Sequence, residues 1–220
     1  MSDGRVDPER VIVALDILDV PKALALVDQL IPLGLRWFKV GLSLWIHAGQ
    51  TIVEALRARD CHVFLDLKLH DIPHQVGLAT KAAAELGVDL LTVHASGGTE
   101  MLQAAVEGAD GRVKILAITV LTSLDAPEGE VARRAAMARE AGVHGVVCSP
   151  LEVASIRPQN PAPFLLVTPG VRPLGSATGD QRRVATPSDA LSWGSDLLVI
   201  GRPITAATSP VEAARAIVTE

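Results

Sequence analysis

The sequence predicts an α/β fold, a single-domain (β/α)8 TIM barrel, and three observations carry that expectation. Eight short apolar or β-branched runs recur along the 220 residues, at 11–15, 37–42, 62–68, 90–94, 114–121, 145–148, 164–168 and 197–200. Between them lie stretches with helical periodicity, and strands that alternate with helices imply parallel pairing through right-handed crossovers. Polar residues gather at the C-terminal ends of the runs, where a barrel of this kind keeps its chemistry. An open doubly wound sheet is the competing arrangement, and the number of units alone does not exclude it.

Each element has its own signal. The first run, "VIVAL", closes on Asp16, and Pro21 then suits the first turn of a helix over "PKALALVDQL". The second, "WFKVGL", carries Lys39 and is followed by the helical pattern "TIVEALRARD". The third, "HVFLDLK", ends on Asp66 and Lys68 and leads past Asp71 into "VGLATKAAAELG", where Gly87 is a natural stop. After the fourth run, "LLTVH", comes the fifth, "KILAITVL", with Thr122 just beyond it. The pattern "EVARRAAMAREAG" then stops at Gly142. The sixth run is "GVVC"; Arg172 follows the seventh, "FLLVT", and Gly201 and Arg202 follow the eighth, "LLVI". Neither a linker nor a low-complexity tract divides the chain, so residues 1–220 read as one domain.

Composition narrows the function. Hydrophobic residues make up 49% and charged residues 20%, which supplies a core and carries no signature of disorder. The net charge is −5 with Lys and Arg scattered, which argues against a nucleic-acid surface. No apolar run is long enough to span a bilayer, and residues 1–9 are polar without a signal region. The two cysteines, Cys61 and Cys148, fall at the start of one buried strand and the end of another. They read as core thiols, and the expected setting is cytoplasmic.

The stretch "FLDLKLHDI" poses the central question. Side chains alternate along a strand, so Phe64, Asp66 and Lys68 share one face and Leu65, Leu67 and Leu69 the other. With the leucines against the outer helices, the two charges face the barrel interior near its mouth. Isolated buried charges are too costly, so these must be paired, solvated or bound to ligand. A lone Asp–Lys pair would be a structural ion pair; here Asp16, Lys39 and Asp71 are expected at the same mouth, which allows a chain of alternating sign. At ~4 Å and an effective dielectric near 20, each neighbouring interaction is about 4 kcal/mol, enough to keep a lysine charged and oriented. Such an array suits a reaction in which a carboxylate substrate loses charge and a carbanion gains a proton. At the other end of the chain, "LLVIGRPI" sets Gly201 and Arg202 after a strand, where backbone N–H groups and a guanidinium can grip a phosphate. The preceding "TPGVRPLGSATGDQRRV" reads as a loop able to close over ligand, with Arg172 and Gln181 as donors.

The motifs "ALD" (residues 14–16), "FKVG" (38–41), "DLKLHDIP" (66–73), "LTS" (121–123), "TPGVRP" (168–173), "GDQ" (179–181) and "IGRPI" (200–204) together resemble the orotidine 5′-phosphate decarboxylase family of the bacterial type. The resemblance covers residues 11–215 or so, in order. It implies conversion of orotidine 5′-monophosphate to uridine 5′-monophosphate and CO2, the last step of de novo pyrimidine nucleotide synthesis, with no cofactor and no metal. Position by position, it makes Lys68 the acid that protonates C6, Asp66 the group that crowds the substrate carboxylate, and Lys39 and Asp16 ligands of the ribose hydroxyls within a Lys39–Asp66–Lys68–Asp71 array. It assigns the base to Thr122, base and phosphate to Gln181, and the phosphate to Arg172, Gly201 and Arg202. It implies a homodimer in which Asp71 and Ile72 cross the interface. The family commonly follows "DIP" with Asn-Thr, whereas this chain has His74-Gln75, which puts Gln75 at the position of a substrate contact. His70 and His94 read as packing or supporting histidines. The nearest rival is an Mg2+-dependent sugar-phosphate decarboxylase or aldolase of the same barrel group; those relatives place an acidic metal ligand where this chain has Lys39. A second rival, a catalytically silent phosphate-binding barrel, is disfavoured because Asp16, Lys39, Asp66, Lys68 and Asp71 are all present.

Overall fold

Extended segments are short and helices intervene, and the chain resolves this as eight parallel strands closed on themselves. The computed structural model describes residues 6–173 and 185–219. The strands are β1 (Val11–Ala14), β2 (Trp37–Gly41), β3 (His62–Leu69), β4 (Leu90–His94), β5 (Lys114–Ile118), β6 (Gly145–Val147), β7 (Leu165–Pro169) and β8 (Leu197–Ile200). They pair in sequence order, and β1 also pairs with β8, so the sheet has no edge and the open-sheet alternative falls. The helices around it are α1 (Val20–Leu30), α2 (Leu42–Ala48), α3 (Gln50–Arg57), α4 (Pro73–Glu85), α5 (Gly98–Ala109), α6 (Glu130–Glu140), α7 (Pro150–Ile156), α8 (Pro187–Ser192), α9 (Arg202–Thr205) and α10 (Pro210–Val218). Among the described residues no helix is long and apolar enough to cross a membrane.

Local chemistry explains the boundaries. Asp19 caps α1 by accepting the Lys22 N–H at 3.1 Å, with Pro21 in the first turn as expected. Gly87 and Gly142 follow α4 and α6 in left-handed backbone, which ends both helices. The fifth run departs from expectation: β5 ends at Ile118, not at residue 121. Thr119 turns its hydroxyl onto the Val147 carbonyl at 2.9 Å, and the chain leaves the ladder so that residues 120–122 form part of the mouth.

Two apolar clusters result from the alternation. Ile12, Ala14, Phe64, Leu90, Leu116, Ile118, Val147, Val167 and Val199 fill the barrel interior. Leu65, Leu91, Ile115, Val146, Leu166 and Leu198 point the other way and pack under the helices. Cys61 and Cys148 are buried and not joined to each other. The tightest helix contact joins α4 and α5, where a Cβ on Gly108 would come within 2.3 Å of the Gly77 carbonyl oxygen. Only glycine permits that approach, which sets the position of α4 and of the Asp71–Ile72 segment before it.

At the end of the barrel away from the mouth, three side chains clip neighbouring strands. Asp89 accepts the Val63 N–H at 2.7 Å, Asp196 accepts the Leu166 N–H at 2.7 Å, and His144 accepts the Ile115 N–H through Nδ1 at 3.1 Å. The two carboxylates are held in turn by arginines, Arg57 on Asp89 and Arg157 on Asp196. Burial, and then the nearby Lys114 charge, lower the pKa of His144 from its usual 6.5. A histidine whose folded pKa lies below its unfolded one is neutral in the fold; between the two values the unfolded chain binds more protons, so stability falls as pH drops below about 6.5. Asn at this position offers Oδ1 in place of Nδ1 and does not titrate. Calorimetric melting at about pH 7.5 and pH 5.5 should therefore show a smaller acid-induced drop in Tm for His144→Asn than for the wild type; equal drops would remove the role given to His144.

Candidate active site

The strand ends converge on a cavity of about 470 Å3, the size of a small-molecule site. Its floor is the upper layer of the interior cluster, with Phe64, Ile118, Val147 and Val199 in the lining. Its polar lining is Asp16, Lys39, Asp66, Lys68, Thr122, Arg172, Gly201 and Arg202. Eight residues named from the sequence thus share one mouth, each at or just past the C-terminal end of a different or neighbouring strand.

The charges form a continuous series. Lys39 Nζ lies 3.0 Å from Asp16 Oδ1 and 3.6 Å from Asp66 Oδ2, and Lys68 Nζ lies 2.7 Å from the same Asp66 oxygen. Register explains the contact, because Gly41 of β2 pairs with Asp66 of β3 and Lys39 sits two residues back on the same face. Gly41 also makes room: a Cβ there would fall 2.6 Å from Asp16 Oδ1 and 2.7 Å from Lys39 Nζ. Burial would raise the Asp66 pKa, but the Lys39 and Lys68 ammoniums and the hydrogen bonds from Lys68 and Thr92 outweigh it and hold the carboxyl below the usual range. The side chains of Lys39 and Asp66 are about nine-tenths shielded, at 10% and 11% exposure, while Lys68 at 36% reaches toward the open cavity. Lys39 and Asp66 therefore form a shielded pair, flanked by the exposed Asp16 carboxylate on one side and the accessible Lys68 ammonium on the other.

β3 is not a regular strand at this point. Leu65 pairs with Leu91 and Leu69 with Val93, so β3 spends four residues where β4 spends two. Lys68 takes a left-handed backbone, φ 53°, which costs a non-glycine residue roughly 1–3 kcal/mol and concentrates at functional sites. The bulge keeps Lys68 over the cavity beside Asp66 while Leu67 and Leu69 pack outward.

At the opposite wall, Arg172 and Arg202 stand close enough that burial and then the Arg202 charge lower the Arg172 pKa. Like charges held together at a cavity rim are complementary to a multiply charged anion. The Arg172 N–H donates to the Ala185 carbonyl at 2.9 Å, which fixes the backbone that carries this guanidinium. Gln181 lies outside the described residues.

Asp71, Ile72 and Gln75 are not brought to this cavity within one chain. All three are exposed, Ile72 at 62%, and Asp71 Oδ1 accepts the Ile72 N–H at 2.7 Å. The observed series is thus Asp16–Lys39–Asp66–Lys68, with Asp71 apart from it. His94 stands beside His70, ring centroids 5.4 Å apart, and burial together with the His70, Lys68 and Arg134 charges lowers its pKa. Thr92, which sequence reasoning passed over as a β-branched strand residue, touches both Asp66 and Lys68.

Comparison with known proteins agrees with this geometry. The model of the orotidine 5′-phosphate decarboxylase / HUMPS family matches residues 9–217. The chain is 51% identical to the orotidine 5′-phosphate decarboxylase of Halorhodospira halophila, covering 97% of this chain and 96% of that one. It is 49% identical to that of Moorella thermoacetica, covering 96% and 92%. The crystal structure of orotidine 5′-phosphate decarboxylase from Lactobacillus acidophilus superposes with a TM-score of 0.82 at 38% identity, over 94% of this chain and 96% of that one. A match of this extent, on a closed barrel whose mouth holds the alternating charges, places the chain in the orotidine 5′-phosphate decarboxylase / HUMPS family.

Proposed function

We propose that the chain decarboxylates orotidine 5′-monophosphate to uridine 5′-monophosphate and CO2, the last step of UMP synthesis. The observation that carries this reading is the alternating Asp16–Lys39–Asp66–Lys68 series, shielded at Lys39 and Asp66, with its one accessible ammonium. Lys68 is the proton donor: the bond from C6 to the carboxyl carbon breaks, its electron pair stays on C6, and an Nζ proton moves to that carbon. The lysine then regains a proton from solvent. Asp66 meets the substrate carboxylate and resists its charge, a stress relieved as CO2 forms. Lys39 and Asp16 hold ribose hydroxyls and keep the series in register. Thr122 contacts the base, Gln181 bridges base and phosphate, and Arg172, Gly201 and Arg202 hold the phosphate, whose binding energy organises the reacting end.

The site is completed by a second copy of the chain, which lends Asp71, Ile72 and Gln75 from the start of its α4. Exposure of that segment, outside its own cavity, supports the assignment. A cytoplasmic setting is supported by two buried cysteines not joined in a disulfide. The Mg2+-dependent alternative meets an obstacle at Lys39, whose ammonium sits between the Asp16 and Asp66 carboxylates where a divalent cation would need oxygen ligands. Purified protein treated with chelator should consume orotidine 5′-monophosphate, followed by loss of its ultraviolet absorbance. Activity that appears only on adding Mg2+ would favour the sugar-phosphate reaction instead.

A further inference from the structure

We propose that Thr92 is a positioning residue for the decarboxylation, its hydroxyl locking the Asp66 carboxylate and the kinked backbone of Lys68 to each other; this rests on the function proposed above. The hydroxyl donates to Asp66 Oδ1 at 2.9 Å and accepts the Lys68 N–H at 2.9 Å. Thr92 is fully buried, so water does not compete for either bond. Both bonds answer a need created by the bulge. Between the Leu65–Leu91 and Leu69–Val93 pairs, β3 carries two residues more than β4, and the Lys68 N–H points at a side chain instead of a ladder carbonyl. The same hydroxyl takes one Asp66 oxygen, leaving Oδ2 for both lysines. One group thereby fixes the acceptor and the backbone of the donor, and so sets where the Lys68 ammonium stands relative to the reacting carbon. Thr92 stands behind Asp66, outside the cavity lining, so it acts through these two neighbours.

The test compares variants that differ at the hydroxyl. Thr92→Val keeps the shape and removes both bonds; kcat should fall by about 10- to 100-fold while KM for orotidine 5′-monophosphate stays within about 2-fold, because the phosphate and base contacts are untouched. Thr92→Ser keeps the hydroxyl and should retain kcat to within about 3-fold. If Thr92→Val does not fold, Thr92→Ser against Thr92→Ala isolates the hydroxyl with the methyl absent from both, and the serine variant should be the faster by about 10-fold or more. Equal kcat in the valine variant and the wild type, or in the serine and alanine variants, would overturn the proposal. A wild type that does not decarboxylate orotidine 5′-monophosphate would defeat the functional reading itself, a separate result.

Discussion

Replacing Lys68 by Ala should lower kcat by about 10^4-fold, toward the upper end of what a positioned general acid contributes, with the melting temperature close to that of the wild type. The structure motivates both halves of this expectation. Lys68 is the more accessible of the two ammoniums in the series, at 36% side-chain exposure against 10% for Lys39, so on the function proposed its loss removes the proton donor. Its removal leaves Asp66 still paired with Lys39 at 3.6 Å and still accepting from Thr92 at 2.9 Å, so no buried charge is stranded. Asp66→Ala makes the contrast: the Lys39 ammonium, at 10% exposure, keeps only the solvent-exposed Asp16 at 3.0 Å and loses its shielded partner, so the barrel should lose stability as well as activity. Steady-state kinetics and calorimetry on the two variants separate the roles. Lys68→Ala with activity near the wild type would dismiss the lysine as proton donor.

The second large effect tests whether the site is shared between copies. Lys68→Ala and Asp71→Ala, each purified alone, should both be nearly inactive. Mixed under conditions that exchange subunits, they should recover activity: half of the dimers are then hybrids, and each hybrid holds one intact site, so about a quarter of the wild-type rate returns. If Asp71 served its own chain, no mixed dimer would contain an intact site and mixing would restore nothing. The expectation rests on Asp71 and Ile72 being exposed and away from their own cavity, at the start of a helix whose place is set by backbone contact between Gly77 and Gly108.

Much of this was legible in the sequence, for reasons that can be named. Period-two alternation across residues 64–69 separated the charges from the leucines, and the separation holds: Phe64 lies in the interior cluster and Leu65 in the outer one. Polar residues at strand ends located the mouth, because closure of the sheet leaves no other place for them to converge. The bulge at Lys68 was not legible, since a left-handed lysine is dictated by tertiary contacts and has no local signature. Thr92 was missed because a threonine in a strand looks like ordinary β-branched filling. The clips at the far end were missed too, although "GVDLL" at 87–91 and "GSDLL" at 194–198 repeat the same short phrase and could have revealed Asp89 and Asp196. Strand five was read too long because "TVL" continues its β-branched character past the point where the Thr119 hydroxyl closes on Val147.

Those clips bind β3 to β4, β5 to β6 and β7 to β8, each within one pair. In these three duplets a side chain thus adds a stitch of its own to the ordinary backbone ladder. A nick in the turn at residues 110–113 would cut none of the three stitches, leaving one in the N-terminal half and two in the C-terminal half. The charges at the mouth divide unevenly across the same seam: Asp16, Lys39, Asp66 and Lys68 all belong to the first half, and Arg172 and Arg202 to the second. On the function proposed above, one half of the barrel would hold the reaction and the other the handle of the substrate.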